Sequence, residues 1–278
     1  MYNAKIVTDA GKTVWLGYSH GILFDISPLS GADVDIATSQ GFQQIGETVE
    51  GQSVGGIRRT IRGTALNTAA ARNLISALPV FTKGKLYFGE KHFCNIFLQK
   101  TPAISYQKDG KMPFTMQVYC DTPFWKEDAL KNYLVNGYEP AFSFPVNYGS
   151  HVFGIRAQGG FTNCINSGDV KTPFVCEFLT DQEIENYGII NVKTLAELRF
   201  NDTLLPGEVV KVYQENGRVM AIKTVDGVSS SVLGLISDDS TLFDLAPGDN
   251  VFKVVADNNA ERLQASISYR PTFMGVLP

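Results

Sequence analysis

The stretch Val118–Asp128, VYCDTPFWKED, marks the point where one β domain ends and another begins. The residues before it, FTMQVYC, alternate apolar and polar side chains with a period of two, which is typical of a half-buried strand. Pro123 has no amide hydrogen to donate to a sheet, so we expect the strand to stop there. The Phe-Trp pair at 124–125 is predicted to cover the end of the first domain's core, while the charged residues at 126–128 face water.

Composition indicates a folded protein without a membrane span. Of the 278 residues, 44% are hydrophobic and 19% are charged. No apolar run is long enough to cross a bilayer, and the N-terminus MYNAKIVTDAGK lacks the apolar core of a secretory signal. Residues 1–128 carry 13 Lys and Arg against 11 Asp and Glu, and residues 129–278 carry 11 against 17, giving +2 and −6. We therefore expect no broad basic face that would hold nucleic acid tightly.

Short alternating runs, separated by Gly, Pro, Asp or Ser, fill the first half and predict a sandwich or split barrel. One segment, NTAAARNLISALP, has helical spacing instead. A single helix is predicted at about 68–78, capped by Asn67 or Thr68 and ended by Pro79. Its predicted apolar face comprises Ala70, Ala71, Leu74, Ile75 and Leu78.

Residues 31–56 form an excursion between good strands. The sequence GADVDIATSQGFQQIGETVEGQSVGG is rich in Gly, Ser, Thr, Gln and acidic residues and has few large apolar ones. This composition predicts a long irregular or hairpin segment, and such segments usually contact partners. We expect residues 31–56 to contribute to a subunit interface; the alternative is a solvated hairpin without a partner.

The second half, 129–278, is again predicted to be all β. Hairpin turns are expected at Asn216-Gly217 and Asp226-Gly227, and another turn at Pro247-Gly248. Several short strands at this spacing predict a jelly roll or a similar two-sheet sandwich. No helix is expected after Trp125, apart from a turn at 127–131. The predicted fold class is therefore all-β with one helix, in two domains at 1–128 and 129–278.

Motifs of catalysis and cofactor binding are weak or absent. GQSVG, Gly51–Gly55, fits a nucleophile elbow centred on Ser53, but an elbow needs a helix after it and an alternating strand follows here. The histidines available as a base, His20, His92 and His151, are too far apart in sequence for a local metal site. There is no P-loop, and the acidic clusters lack the ligand spacing of a calcium loop. We predict no catalytic, cofactor-binding or metal site, although a hydrolase based on Ser53 stays open as a minor alternative.

Four cysteines without CxxC spacing are predicted to be small, buried, free thiols: Cys94, Cys120, Cys164 and Cys176.

A carbohydrate-binding adhesion module is the main alternative function, because jelly rolls often bind sugars against an exposed aromatic ring. Both tryptophans, Trp15 and Trp125, belong to the first half or its edge. Tyrosines in strands are more often half-buried packing residues than sugar platforms. The candidate platform residues of the second half are Tyr133, Tyr138, Tyr148, Tyr187, Tyr213 and Tyr269.

The order of these pieces resembles the distal tail protein (Dit) family of siphovirus tail components. Many members close the first domain with an acid, a proline and an aromatic pair; here the acid is Asp121, and Thr122 intervenes before the proline. The resemblance rests on RRTIRGTAL (58–66), AAARNLISALP (69–79), GKLYFGEKHFCNIFLQKTP (84–102), FTMQVYCDTPFW (114–125), NSGDVKTPFVCEF (166–178) and LFDLAPGDNVFKVVAD (242–257).

This resemblance implies an N-terminal split-barrel or β-sandwich domain that forms a ring, and a C-terminal galectin-like jelly roll that projects from it. It implies a homohexamer at the distal end of a phage or prophage tail. The ring would join the tail tube protein to the tail-tip or tail-associated lysin protein and, in some phages, to receptor-binding proteins. DNA would pass through the channel without specific binding, and neither a cofactor nor a membrane would be involved. The weak net charge of the first half suits such a channel wall.

Overall fold

The computed structural model describes residues 3–107, 110–136, 160–214 and 217–277, and the backbone of 138–140, 154–156 and 215. The side chain of Tyr138, and Tyr148, His151 and Asn216, lie outside the described residues. The chain divides into two compact units, Met1–Ala129 with Thr272–Pro278, and Leu130–Pro271. The sequence predicts a second domain of 129–278, but residues 272–278 belong to the first unit.

The elements follow one another almost entirely as strands. The first unit contains β1 (Ala4–Thr8), β2 (Thr13–Leu16), β3 (Ile22–Ser27), β4 (Val34–Ser39), β5 (Thr48–Val54), β6 (Ile57–Ala65), α1 (Thr68–Ala77), β7 (Lys83–Phe88), β8 (His92–Ile104), β9 (Met112–Cys120) and β10 (Trp125–Glu127). The second contains β11 (Lys131–Asn136), β12 (Tyr138–Pro140), β13 (Gly154–Arg156), β14 (Thr162–Asn166), β15 (Val175–Thr180), β16 (Ile184–Glu185), β17 (Gly188–Asn191), β18 (Ala196–Arg199), β19 (Thr203–Leu204), β20 (Val209–Glu215), β21 (Arg218–Val225), β22 (Val228–Ser231), β23 (Gly248–Val255) and β24 (Leu263–Tyr269). The last strand, β25 (Thr272–Phe273), returns to the first unit, and short 3₁₀ turns lie at Tyr18–His20, Leu233–Leu235 and Ala260–Arg262.

The first unit is built on one antiparallel sheet with the strand order β2-β1-β7-β8-β9-β6-β3, to which β10 and β25 attach beside β8. Its strands alternate between buried apolar side chains and side chains on the opposite face, as their period-two sequences predict. The buried side chains pack together with those of α1 in one core.

Helix α1 agrees with the predicted segment and cap. The side chain of Asn67 accepts a hydrogen bond of 2.8 Å from the backbone N–H of Ala70, which satisfies one of the amide groups at the helix start. Ile75 does not face the core as predicted; its side chain is 56% exposed. A single helix covering a sheet buries a stripe, and Ile75 lies at the edge of the stripe centred on Leu74.

The second unit is a two-sheet sandwich. One sheet has the order β11-β24-β15-β20-β21-β22 and the other β14-β23-β17-β18, and their inner side chains form a single core. At the β21–β22 hairpin, Asp226 and Gly227 have φ values of 48° and 80°, the left-handed conformation that a two-residue hairpin turn requires. No turn forms at 127–131, because Glu127 ends β10 and Lys131 begins β11. The predicted class, all-β with one helix, is confirmed.

Candidate assembly surfaces

Trp125, which lies in the stretch 118–128 between the two predicted domains, is fully buried in the core of the first unit. Its indole N–H donates a 2.8 Å hydrogen bond to the carbonyl of Leu29. Lys126 and Glu127 do not face water as predicted; they are half-buried, because β10 pairs with both β8 and β25.

Arg59 lies against the ring of Trp125 and was not singled out from the sequence. Its guanidinium carbon is 4.6 Å from the ring centroid, and its side chain is fully buried. One terminal nitrogen donates to the carbonyl of Pro28, and the other donates to that of Pro123 at 2.6 Å. In the part of the chain that the structure describes, Arg59 forms no ion pair with a carboxylate, so backbone carbonyls and an aromatic face replace water around its charge.

These contacts fix Pro28, Leu29 and Ser30, which we call the root of the 31–56 segment. The carbonyls of Pro28 and Leu29 receive hydrogen bonds from Arg59 and Trp125, and Ser30 forms a β-bridge with Gly275 near the chain's end. The three residues that precede the excursion are thus held by β6, β10 and the C-terminal segment. A rigid root positions whatever the excursion contacts.

The excursion itself is a two-stranded hairpin of β4 and β5, which pair with no other strand among the residues that the structure describes. Register places Val34 opposite Val54 and Thr38 opposite Val49, so these valines share one face with Ile36. This apolar face is open: the exposed fractions of Val34, Ile36, Val49 and Val54 are 49%, 55%, 54% and 46%. At the tip, Phe42 and Ile45 are fully exposed. Residues 31–57 contain four acids and no Lys or Arg.

The face of the large sheet that points away from the core is rich in cations. Strand register places Lys5, Arg58, Arg62, Lys83, Lys85 and Lys100 on it, against one acid, Asp25. Aromatic rings separate several of these cations: the amino group of Lys5 lies 5.1 Å from the Trp15 centroid and 4.6 Å from that of Tyr87. The charge balance of residues 1–128 gave no sign of this face, because strand pairing gathers cations that are scattered in sequence. That the chain does not hold nucleic acid tightly stays a prediction.

The candidate nucleophile does not lie in a catalytic arrangement. Ser53 is exposed in β5, and Gly55-Gly56 then lead into β6 rather than into a helix. No hydrogen bond joins Ser53 to either described histidine. His20 stacks on Trp15 at 5.3 Å, and burial lowers the pKa of His92, which packs edge-on against Phe273. Among the described residues, no three His, Cys, Asp or Glu side chains are grouped closely enough to hold a metal ion.

All four cysteines are buried and free, as predicted. Cys94 and Cys120 share a hydrogen bond, with 3.5 Å between their sulfur atoms. Burial raises the pKa of Cys164 to about 12 and raises that of Cys176 as well. Such thiols are unreactive packing groups.

The described tyrosines of the second unit do not form an exposed platform for a sugar. Tyr187 is fully buried and stacks on Phe200 at 5.4 Å. Tyr269 is 2% exposed, stacks on Tyr133 at 6.0 Å and donates a 2.6 Å hydrogen bond to the carbonyl of Ile165. Tyr213 is only half-exposed. These contacts are those of packing residues, and none of them favours the carbohydrate-binding alternative.

Lys223 anchors a polar cluster in the second unit. Its amino group lies 3.1 Å from a carboxylate oxygen of Asp202 and 2.7 Å from one of Glu208, and the side chains of Lys223 and Glu208 are 14% and 12% exposed. Burial alone would raise the pKa of Glu208, but the hydrogen bonds from Lys223 and the Leu205 N–H outweigh it and lower that pKa. The cluster therefore stabilises the fold fully above the ordinary glutamate pKa of about 4.3, and this stabilisation is lost as the pH falls through the lowered value.

Replacing Lys223 with methionine is expected to destabilise the second unit by about 3 kcal/mol at pH 7, because two poorly hydrated carboxylates lose their cation. Since Glu208 would then lose its depressed pKa, the variant should also lose less stability than the parent between pH 4.5 and pH 3. Urea unfolding followed by far-ultraviolet circular dichroism at pH 7, pH 4.5 and pH 3 measures both effects. Lys211→Met is the control, because the Lys211–Glu177 pair is 47% and 38% exposed and should contribute under about 1 kcal/mol. Equal losses in the two variants would contradict the prediction.

None of the helices in the described residues is long and apolar enough to cross a membrane.

The C-terminal part of the chain is similar in sequence to a known family. Residues 167–273 match the model of a family described as siphovirus-type tail component, C-terminal domain (SPP1 Dit). No curated protein matches the chain in sequence.

One solved structure shares the fold over nearly the whole chain. The crystal structure of the SPP1 Dit (gp 19.1) protein, described as a paradigm of the hub adsorption apparatus in phages that infect Gram-positive bacteria, matches with a TM-score of 0.67 and 10% identity, covering 98% of this chain and 99% of that one. The phage P2 baseplate in its activated conformation matches with TM-scores of 0.49 with Ca and 0.46 with Sr, both at 10% identity; the coverages are 99% and 97% of this chain and 100% and 98% of those chains. The predicted resemblance to the Dit family is confirmed.

Proposed function

We propose that this chain is a structural hub of a phage or prophage tail of the siphovirus type, with the role that the Dit protein has in SPP1. The family match of residues 167–273 carries the proposal, because it is a likeness in sequence to tail components. The fold shared with SPP1 Dit over 98% of the chain supports it. The role is structural rather than catalytic, in agreement with the strand context of Ser53.

The first unit forms the ring in this proposal. A closed ring needs two different surfaces on each subunit, so that one surface of a copy meets the other surface of the next. The hairpin of β4 and β5 and the cationic sheet face differ in this way, in charge as well as in shape. The ring is a homohexamer that continues the tail tube at the distal end of the virion tail. DNA passes through its channel without specific binding.

The second unit provides contacts to other tail proteins in this proposal. Its partners are the tail-tip or tail-associated lysin protein and, in phages that carry them, receptor-binding proteins. The family match falls on this part of the chain, which supports a role in the adsorption apparatus.

Electron microscopy of the purified protein at high concentration tests the ring, and six-fold rings are the expected result. Deleting 34–54 and joining the flanking glycine-containing segments should abolish the rings. The residues of the root, Pro28 to Ser30, remain in this variant, so the first unit should still fold with unchanged tryptophan fluorescence. Mass in solution should fall to that of a monomer. Assembly that is the same with and without the hairpin would remove it from the interface.

A further inference from the structure

Cys94 and Cys120 lie side by side in the core of the first unit, and their sulfur atoms are 3.5 Å apart. Strand register places Cys120 opposite Ile96, two residues along β8 from Cys94, so the two thiols are diagonal neighbours on the buried face of the sheet. A disulfide holds its sulfur atoms about 2.05 Å apart. The two sulfur atoms would therefore have to approach each other by about 1.5 Å to form one.

The position of Cys120 at a strand end favours this approach. Cys120 is the last residue of β9, and its pair with Ile96 is the last rung of the β8–β9 ladder at this end. Its neighbours Gly56, Ile57 and Tyr119 line an open cleft of about 670 Å³. Strand ends open locally at a lower free-energy cost than strand centres. A small solute in the cleft can thus reach the thiol during such openings, although the thiol is buried in the closed structure.

Arg59 supplies a positive charge beside the two thiols. Its Nε–H is buried and has no hydrogen-bond partner among the described residues, although both terminal nitrogens donate to backbone carbonyls. The hydrogen bond from Cys94 outweighs burial and, together with the charge of Arg59, lowers the pKa of Cys120. The same hydrogen bond and burial raise the pKa of Cys94. Cys120 is therefore the thiol that ionises first, next to a cation that stabilises its thiolate.

We propose that Cys94 and Cys120 form a redox-active dithiol, which a hydroperoxide such as hydrogen peroxide oxidises to a disulfide between β8 and β9. The contact between the two sulfur atoms and the buried cation beside them carry this inference. Burial raises the pKa of Cys164 and Cys176, so the thiols of the second unit stay protonated and unreactive. The inference concerns a single chain and does not depend on the hub proposal.

The reaction has two steps. The Cys120 thiolate attacks one oxygen of hydrogen peroxide, the O–O bond breaks, and the departing hydroxide takes up a proton to become water, which leaves a sulfenic acid on Cys120. The Cys94 sulfur then attacks the Cys120 sulfur, the S–O bond breaks, and the departing hydroxide takes the Cys94 proton to form a second water. The two thiols together lose two electrons and two protons, and the peroxide is reduced to two molecules of water.

Mass spectrometry of the reduced full-length chain after treatment with hydrogen peroxide tests the proposal. The expected result is a loss of two hydrogens, about 2 Da, with peptide mapping that places the bond between Cys94 and Cys120. Cys164 and Cys176 are internal controls in the same chain, and they should be oxidised at least about tenfold more slowly. A chain that keeps four free thiols, or one in which Cys164 or Cys176 reacts as fast, would overturn the inference.

Two single variants identify the attacking thiol. Cys94→Ser keeps a hydroxyl that can donate the same hydrogen bond but removes the second thiol, so the sulfenic acid of Cys120 should persist and be trapped by dimedone. Cys120→Ser keeps only Cys94 at this place and should give at least about tenfold less adduct there. Equal labelling of the two variants would overturn the assignment of Cys120 as the attacking thiol. The measurement on the parent chain decides the disulfide even where a variant fails to fold.

Discussion

Replacing Trp125 with alanine is expected to destabilise the first unit by about 3–5 kcal/mol, the cost of removing a fully buried large aromatic side chain from a core. Trp125 packs against Phe88 at 6.1 Å and against the guanidinium of Arg59 at 4.6 Å. Truncation would leave a cavity and expose Arg59 to an empty space in place of the ring. It would also remove the donor that satisfies the Leu29 carbonyl at the root of the hairpin.

The two tryptophans allow a matched measurement. Both lie in the first unit, so their fluorescence reports unfolding of that unit, and each remains as the reporter when the other is replaced. Trp15→Ala is the control, because Trp15 is 40% exposed and its loss should cost under about 1 kcal/mol. Trp125→Phe should give an intermediate loss of about 1–3 kcal/mol, since it retains most of the buried surface but not the hydrogen bond. A Trp125→Ala chain as stable as the Trp15→Ala chain would refute a core role.

The strands, the helix and the burial of Trp125 could be predicted because their signals are local. Alternation with period two indicates a strand within six residues, and Asn67 lies three residues from the amide that it caps. The root of the hairpin could not be predicted in this way. Arg59 contacts carbonyls that are 31 and 64 residues away in sequence, and Trp125 pairs with Phe273, which lies near the C-terminus.

The candidate interface shows the same limit. The composition of 31–56 was enough to predict an irregular or hairpin excursion, and the structure gives it the form of a hairpin. That the excursion contacts a partner stays a prediction. The cationic face of the large sheet was missed, because its residues lie on separate strands between positions 5 and 100. Only the register of the sheet brings them into line. A net charge of +2 over residues 1–128 conceals a face that is strongly cationic.

Replacing Arg59 with alanine should destabilise the first unit by about 3 kcal/mol. The change leaves the carbonyls of Pro28 and Pro123 without their charged donor and removes the cation from the face of Trp125. An unsatisfied buried carbonyl costs about 1–3 kcal/mol, and part of this is offset because a buried charge no longer has to be desolvated. Arg62→Ala is the matched control on the same strand, since Arg62 is exposed, and it should stay within about 0.5 kcal/mol of the parent.

Arg59→Lys separates the charge of this residue from its geometry. A lysine keeps the positive charge, but its single amino group lacks the planar fork that reaches two carbonyls and stacks on an indole. We therefore expect Arg59→Lys to lose nearly as much stability as Arg59→Ala in denaturation followed by tryptophan fluorescence. Both variants should also form fewer rings at temperatures where the first unit remains folded, because the root that positions the hairpin is loosened. Full stability in the lysine variant would show that charge alone, rather than the bridge between the two carbonyls, holds the root.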